Sequence, residues 1–183
     1  MDNAASSYRR FLDGDENAFD EIMKELFDSL VFFIDRYVCD TAAAEDIAID
    51  AFSDLIVHRH RYNFKVSLKT YLFMIGRSRA LNYIKHRGKL SMVPLSEAEH
   101  LAAGHTTLEA RLLADEQKRI ISGAMAQLPE DMRIALHLIY FEDLSYEEAA
   151  RVMKKNRKQI DNLLYRAKNS LRTTLGKEGE QFL

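Results

Sequence analysis

Basic and aromatic side chains alternate through residues 55–96 of this sequence. The stretch holds nine Lys or Arg residues and no Asp or Glu. Positive charge attracts nucleic-acid phosphates, and aromatic rings stack on unpaired bases. A folded aromatic core with a solvated basic face would give the same pattern, so both interpretations stay open. The basic members are Arg59, Arg61, Lys65, Lys69, Arg77, Arg79, Lys85, Arg87 and Lys89, and the aromatic members are Tyr62, Phe64, Tyr71, Phe73 and Tyr83.

The segment 145–175 has the pattern of a helix-turn-helix, in which a short helix and a tight turn precede a longer basic helix. Ser145 and Glu148 have the spacing of a capping box, and Asn156 with Gln159 has cap spacing at the start of the longer helix. Eight basic residues against three acidic ones favour DNA binding, with an ordinary solvated helix as the alternative. The polar and basic residues off the buried face are Arg157, Lys158, Asp161, Asn162, Tyr165 and Arg166.

Acidic residues recur at four-residue intervals in Asp46, Asp50 and Asp54, which places them on one face of a helix. Such a stripe is commonly a solvated face, and no nearby partner supports acid–base catalysis. His58 and His60 diverge on a helix and lack a third metal ligand. Neither a phosphate-binding glycine loop nor a nucleophile motif occurs. We therefore expect no enzymatic activity, no catalytic residue, no metal and no cofactor.

The net charge of −2 conceals a strong asymmetry along the chain. Residues 1–54 hold 14 acidic and 4 basic side chains, whereas residues 55–96 carry only positive charge. Different segments are therefore expected to have different partners. The single cysteine, Cys39, excludes a disulfide framework, and we expect its thiol to be buried. No apolar run approaches the roughly 20 residues of a membrane span and no signal-peptide pattern occurs, which predicts a cytoplasmic protein.

Turn-forming residues are few, with 7 Gly and 2 Pro, which predicts an all-α protein of two small helical domains joined by a flexible linker. In the first domain, Thr41 should cap the second helix and Ser67 the third. The buried face of the second helix should include Ile56, and that of the third Leu81 and Ile84. The predicted organisation is a tail over 1–14, a first domain over 15–89, a linker over 90–107, a second domain over 108–176 and a tail over 177–183.

Several strings, in their order and spacing, resemble the extracytoplasmic-function (ECF) group of bacterial RNA polymerase sigma factors. The resemblance covers nearly the whole chain, with a short linker and no middle domain. It predicts a sigma region 2-like helical bundle followed by a sigma region 4-like helix-turn-helix. The strings are Ala44-Glu45-Asp46-Ile47 through Phe52, Ser67-Leu68-Lys69-Thr70-Tyr71-Leu72 through Arg77, Asn82-Tyr83-Ile84-Lys85, Leu128-Pro129, Leu144-Ser145-Tyr146-Glu147-Glu148-Ala149-Ala150 and Tyr165-Arg166-Ala167-Lys168.

The resemblance implies a sigma factor that binds RNA polymerase core and directs promoter-specific transcription initiation. Its first domain would dock on the beta-prime clamp helices, melt and read the minus-ten element, and take up a base of the non-template strand in the loop over residues 63–66. Its second domain would read the minus-thirty-five element in the major groove and contact the beta flap. Promoter DNA and an anti-sigma factor are the other partners that it implies.

The site residues implied by the resemblance fall into three groups. The residues expected to bind core polymerase are Glu45, Asp46, Asp50 and Asp54. Those expected to bind DNA in the first domain are Arg61, Asn63, Phe64, Lys65, Lys69, Tyr71, Arg77, Arg79, Asn82, Lys85 and Arg87. Those expected on the recognition helix are Lys155, Asn156, Arg157, Lys158, Gln159, Asp161, Asn162 and Arg166.

The sequence departs from the family pattern at several of these positions. Tyr71 stands where tryptophan is usual, Ile49 where glutamine is common, and Ile56 where an aromatic residue is common. Asp161 and Leu163 occupy positions that are more often basic or polar. Asp161 would repel phosphate, although its carboxylate could accept a hydrogen bond from a cytosine amine.

A stand-alone helix-turn-helix transcriptional regulator is the main alternative. Such a protein would bind duplex DNA without polymerase, usually as a dimer, and it leaves the basic aromatic segment and the acidic helix unexplained. A protein-binding helical adaptor is a further alternative. Changing Arg157 and Lys158 to glutamate would leave an adaptor active, whereas a sigma factor would lose promoter use.

Overall fold

A computed structural model of the protein describes residues 3–90 and 123–175, and within those ranges every regular element is a helix. The chain divides into two compact units, Met1–His105 and Thr106–Leu183. The predicted all-α class with two helical domains is therefore confirmed. The tail over 177–183 and, apart from Leu90, the linker over 90–107 lie outside the described residues.

The first unit is a bundle of four helices, α1 (Asn3–Leu12), α2 (Asn17–Val38), α3 (Thr41–Val57) and α4 (Leu68–Leu90). The long helix α2 packs against the other three. Phe33 of α2 stacks on Phe73 of α4 with 4.7 Å between ring centroids. A Cβ atom on Gly76 would lie 2.9 Å from Cδ1 of Leu30, so glycine permits the close approach of α2 and α4. The helix that is predicted to bind DNA, α4, and the acidic helix, α3, therefore pack against the same helix, α2.

Helix α1 occupies most of the segment that the sequence predicts as a tail, residues 1–14. Ala4 and Tyr8 are buried against the bundle, and Phe11 contacts Phe19 of α2 with 5.1 Å between ring centroids. Arg10, on the outer side of α1, forms ion pairs with Asp15 and Glu21. A helix of 10 residues spans fewer than three turns, so its apolar period is too short to be distinct in the sequence.

Two further expectations for the α2–α3 turn are wrong. Asp40, not Thr41, caps α3, because its side chain accepts a hydrogen bond from the Ala43 backbone N–H at 3.2 Å. Cys39 is exposed rather than buried. It follows the last residue of α2 with φ at 51°, so its side chain leaves the buried face of that helix. Ser67 caps α4 as predicted, accepting from the Thr70 N–H at 3.2 Å.

The second unit contains helical residues 123–126, then α5 (Glu130–Tyr140), α6 (Tyr146–Met153) and α7 (Arg157–Leu175). Helix α7 packs against both α5 and α6 through one apolar face. The capping box of Ser145 and Glu148 is present, which confirms that prediction. Asn156 and Gln159 exchange two backbone–side-chain hydrogen bonds of 2.9 Å at the start of α7. Local sequence signals therefore set the starts of both α6 and α7.

No helix within residues 3–90 or 123–175 combines the length and apolar character that crossing a bilayer requires.

Candidate nucleic-acid and protein interfaces

The connection between α3 and α4, residues 58–67, is named the base-capture loop, because the family resemblance implies that residues 63–66 within it take up a base. Tyr62 is buried, and its hydroxyl donates to the carbonyl of Val66 at 2.7 Å. The side-chain oxygen of Asn63 accepts from the backbone N–H of Lys65 at 3.1 Å, closing a local turn. These bonds fix the backbone while Arg61, Asn63 and Lys65 remain exposed.

Phe64 adopts a left-handed backbone conformation, with φ at 60°. This region costs a non-glycine residue about 1–2 kcal/mol, so surrounding contacts must hold it. The Phe64 ring lies 4.6 Å from the ring of Tyr62 between centroids, and the Arg9 guanidinium lies 4.8 Å from its centroid. The half-buried Phe64 ring is therefore clamped between the loop and α1.

The five aromatic residues of the basic stretch divide between core and surface. Tyr62 and Phe73 are buried, so they are unavailable for stacking on a base in this conformation. Tyr71 is half-buried beside Tyr62, with 5.1 Å between ring centroids, and burial raises the pKa of its hydroxyl. Both interpretations of the stretch thus hold in part, because a helix that packs on a bundle must bury one face while the other meets solvent.

The residues of α4 that are predicted to bind DNA lie in two environments. Asn82, Lys85 and Arg87 are exposed on the last turns of the helix, where Leu81 and Ile84 are also exposed rather than buried as predicted. The apolar face that was predicted for α4 is therefore exposed to solvent at Leu81 and Ile84, near the end of the helix. The half-buried members of the predicted DNA set on α4 are Lys69, Tyr71, Arg77 and Arg79.

Arg79 faces the acidic stripe of α3. Its guanidinium lies 3.4 Å from a carboxylate oxygen of Asp50 and 3.5 Å from one of Asp54. Asp54 also lies 3.5 Å from Nε2 of His58. These pairs are partly exposed and each contributes at most about 1 kcal/mol, so they can exchange for an external partner. The structure nevertheless places a predicted DNA residue against predicted polymerase residues.

The exposed side of α3 has an apolar strip beside the acidic stripe. Glu45, Asp46 and Asp50 are exposed, while Asp54 is half-buried. Ile49 is 51% exposed and Ile56, predicted to be buried, is 41% exposed. The two isoleucines are seven residues apart and therefore share a face, and Val57 beside them is 72% exposed. Sequence reasoning missed this strip because a continuous apolar pattern does not show which positions neighbours cover.

Helix α7 presents a polar and basic face opposite its buried one. Lys155 is half-buried, with Nζ 3.0 Å from Asp131, and the exposed Arg157 lies 3.2 Å from Glu147. Both pairs involve exposed carboxylates and are weak enough for phosphate to replace them. Asn156 and Gln159 use their side chains to cap the helix. The exposed predicted residues are Asn156, Arg157, Lys158, Gln159, Asp161, Asn162 and Arg166.

Exposed aromatic residues near this face were not in the predicted site. Tyr165 is 68% exposed between Asp161 and Arg166, and Tyr140 and Phe141 are exposed at the end of α5. The ammonium of Lys168 lies 5.1 Å from the Tyr140 ring centroid.

Across the part of the chain that the structure describes, no three His, Cys, Asp or Glu side chains form a group suited to a metal ion.

Comparisons with known proteins agree on both units. Residues 22–90 match the family model described as Sigma-70 region 2, and residues 118–171 match the one described as Sigma-70, region 4. The RNA polymerase sigma-H factor of Pseudomonas aeruginosa is 32% identical over 168 residues, covering 86% of each chain. The ECF RNA polymerase sigma factor SigM of Bacillus subtilis is 26% identical over 153 residues, covering 84% of this chain and 92% of the relative.

Solved structures of similar fold include the sigma factor RpoE in complex with the anti-sigma factor NepR, from Bartonella quintana. Its TM-score is 0.68 at 23% identity, with 87% of this chain and 97% of that chain covered. CnrH, solved in complex with the cytosolic domain of CnrY, has a TM-score of 0.64 at 17% identity, with 94% of each chain covered. At these identities the likeness concerns the fold.

Proposed function

This chain belongs to the sigma-70 family, in its ECF group, and directs promoter-specific transcription initiation, and we propose that three surfaces divide that work. The exposed side of α3 docks on RNA polymerase core. The base-capture loop and α4 read the melted minus-ten element. Helix α7 reads the minus-thirty-five element. The observation that carries the proposal is the fixed base-capture loop, whose polar and basic side chains point outward from a buried tyrosine.

The polymerase surface combines charge and apolar area. Asp46 and Asp50 are exposed carboxylates, and Ile49 and Ile56 form an exposed apolar strip beside them on the same helix. An interface gains affinity from a buried apolar centre and orientation from surrounding charges. We propose that Ile49, Ile56 and Val57 supply that centre against the beta-prime clamp helices, while the acidic residues pair with basic side chains of the clamp.

The minus-ten surface suits an unpaired strand. Asn63 offers its side-chain amide N–H group while its oxygen is used in the local turn, and Lys65 lies beside it for the backbone phosphates. Tyr71 presents part of its ring next to the loop, where a base could stack. We propose that the unpaired strand runs along α4 and binds to Lys69, Arg77, Asn82, Lys85 and Arg87.

The minus-thirty-five surface is the start of α7. Residues near the beginning of a recognition helix reach base edges in the major groove, and flanking bases hold phosphates. We propose that base edges are contacted by Lys158, Asp161 and Asn162, which lie on the exposed face of α7. We propose that the flanking phosphates are contacted by Lys155, Arg157 and Arg166. We also propose that this second unit binds the beta flap.

The test is binding of the purified chain to bacterial core RNA polymerase, followed by sequencing of the transcripts that the mixture starts. We expect tight binding and starts that share an upstream motif. Asp46→Asn with Asp50→Asn should weaken core binding, whereas Glu25→Gln with Asp28→Asn, on exposed positions of α2, should leave it unchanged. Equal binding by both pairs of variants would remove α3 from the proposal.

The stand-alone regulator is not favoured, because the first unit matches a sigma region as well as the second. We further propose that the protein acts in the cytoplasm, that it has no enzymatic activity of its own, and that an anti-sigma factor restrains it. The solved RpoE–NepR complex is such a pairing in a protein of the same fold. Stable binding to duplex DNA without core would instead support the regulator.

A further inference from the structure

Helix α1 contacts the junction between the end of α3 and the base-capture loop. The last carbonyl groups of a helix lack partners within it. The Tyr8 hydroxyl lies 2.8 Å from the carbonyl oxygen of Arg59 and 3.1 Å from that of Leu55, and it donates to this pair from a fully buried position. A residue near the start of the chain thereby holds the entry to a loop about 50 residues further on.

The hydroxyl remains a donor over the whole physiological range. Burial raises the pKa of Tyr8 to about 12, with the nearby Tyr71 adding to the increase and Arg59 opposing it. The neutral phenol therefore keeps its proton, and the contact does not depend on an ion pair.

The neighbouring residue of α1 holds the middle of the same loop. The Arg9 guanidinium lies 4.8 Å from the ring centroid of Phe64, and the Tyr8 ring lies 5.5 Å from that of Tyr62 and 6.2 Å from that of Phe64. Phe64 is the loop residue whose left-handed backbone needs support. Two consecutive residues thus touch both the entry and the strained centre of the loop.

Attachment of α1 to the bundle does not depend on these contacts alone. Arg10 pairs with Asp15 and Glu21, and the Ser7 hydroxyl donates to Glu21 at 2.8 Å. Phe11 packs on Phe19. The contacts that hold α1 on α2 are therefore distinct from those that reach the loop, and variants can separate the two.

We propose that Tyr8 and Arg9 are positioning residues for the base-capture loop, and that α1 thereby sets how well the protein discriminates the captured base of the minus-ten element. This inference rests on the proposed function of the loop. Neither residue needs to touch DNA, because both act through the position of Asn63 and Lys65.

The experiment compares Tyr8→Phe and Arg9→Met in the full chain bound to core polymerase. Arg10→Met is the matched control, since it removes a neighbouring guanidinium of α1 that pairs with Asp15 and Glu21 rather than with the loop. The probes are single-stranded oligonucleotides of the non-template strand across the minus-ten element, with either the native base or an abasic site at each position. The readout is the ratio of the two affinities at the captured position.

We expect Tyr8→Phe and Arg9→Met each to lower that ratio about fivefold, the value of one hydrogen bond or cation–π contact. Arg10→Met should keep the wild-type ratio. An unchanged ratio in both variants, with only a lower melting temperature, would overturn the inference and leave α1 a structural helix. If Tyr8→Phe fails to fold, Arg9→Met decides. A wild-type holoenzyme without base preference at any position would overturn the proposed loop function, and the inference with it.

Discussion

The base-capture loop and the start of α7 are both proposed to read bases, yet their conformations are fixed in opposite ways. The loop is irregular, and residues from α1, α3 and α4 fix it, with Tyr62 only 4% exposed at its centre. Helix α7 is regular, and its start is fixed by Asn156 and Gln159, three residues apart. The first reading surface depends on tertiary contacts and the second on local sequence.

This difference suits the two substrates. An unpaired base must be taken out of its stack into a shaped site, which requires fixed neighbours on several sides. A duplex groove accepts a straight helix, so the protein needs only a regular element with suitable outward side chains. Changes far away in the sequence should therefore disturb the loop, whereas only changes on or beside α7 should disturb the helix.

The largest test compares an aromatic residue of each surface. Tyr62→Ala removes a buried ring and should lower the free energy of unfolding of the first unit by about 3–5 kcal/mol. Tyr165→Ala removes an exposed ring and should change that of the second unit by less than about 0.5 kcal/mol. Hydrogen exchange measured by mass spectrometry follows each unit separately. Similar effects of the two variants would contradict the comparison.

The next test is the stability of the first unit at high pH. Tyr8 has a pKa of about 12 when folded and about 10 when unfolded, so between these values only the unfolded chain loses its proton. Stability should therefore be intact below pH 10 and fall as pH rises from 10 to 12, by up to about 3 kcal/mol. The difference between wild type and Tyr8→Phe in urea unfolding isolates this effect. A difference that is constant from pH 9 to 11.5 would contradict it.

Reversing charge on α7 should weaken DNA binding without lowering the stability of the second unit. Arg157→Glu with Lys158→Glu should weaken holoenzyme binding to a promoter roughly 10- to 100-fold, because the phosphate contact of Arg157 and the base-edge contact of Lys158 are both lost. The salt slope should fall by about 1 for the lost phosphate contact. The unfolding free energy should change by less than about 0.5 kcal/mol. The control is a promoter template whose duplex ends downstream of the minus-thirty-five element, so that α7 has neither bases nor phosphates to contact and the variant and wild type should bind it equally. Loss of binding on both templates would place these residues elsewhere in the mechanism.

The smallest test concerns the cap of α7. Asn156→Ala removes the acceptor for the Gln159 N–H and should destabilise the second unit by about 1 kcal/mol. Asn156→Ser should restore most of that loss, because serine is also a good cap. Thermal unfolding of the three proteins provides the comparison. An equal loss in the serine variant would show that Asn156 contributes through something other than capping.

Much of the fold could be predicted because it rests on local signals. The capping box of Ser145, the cap of Ser67 and the apolar period of α2 are all visible in the chain itself. The cap of α3 was misplaced by one residue, since Asp40 and Thr41 are both good capping types and only the backbone decides between them. Helix α1 was missed because a helix of fewer than three turns carries too little apolar periodicity to be recognised.

The candidate site was predictable in composition but not in environment. Sequence reasoning identified the basic and aromatic stretch, although it could not separate the buried Tyr62 and Phe73 from the partly exposed Tyr71. It likewise placed Ile56 inside, whereas the residue is exposed beside Ile49. Arg79 was assigned to DNA although it faces Asp50 and Asp54. Each of these outcomes depends on which neighbouring element covers a given helix face.

The sequence by itself determined the helices of the second unit, the turn between α6 and α7 and the outward face of α7, because capping and periodicity act over three or four residues. Only the tertiary structure decided the shape of the base-capture loop. Its left-handed Phe64, its buried Tyr62 and its support from Tyr8 join segments about 50 residues apart. No local preference encodes such contacts, because they exist only once α1, α3 and α4 are packed around α2.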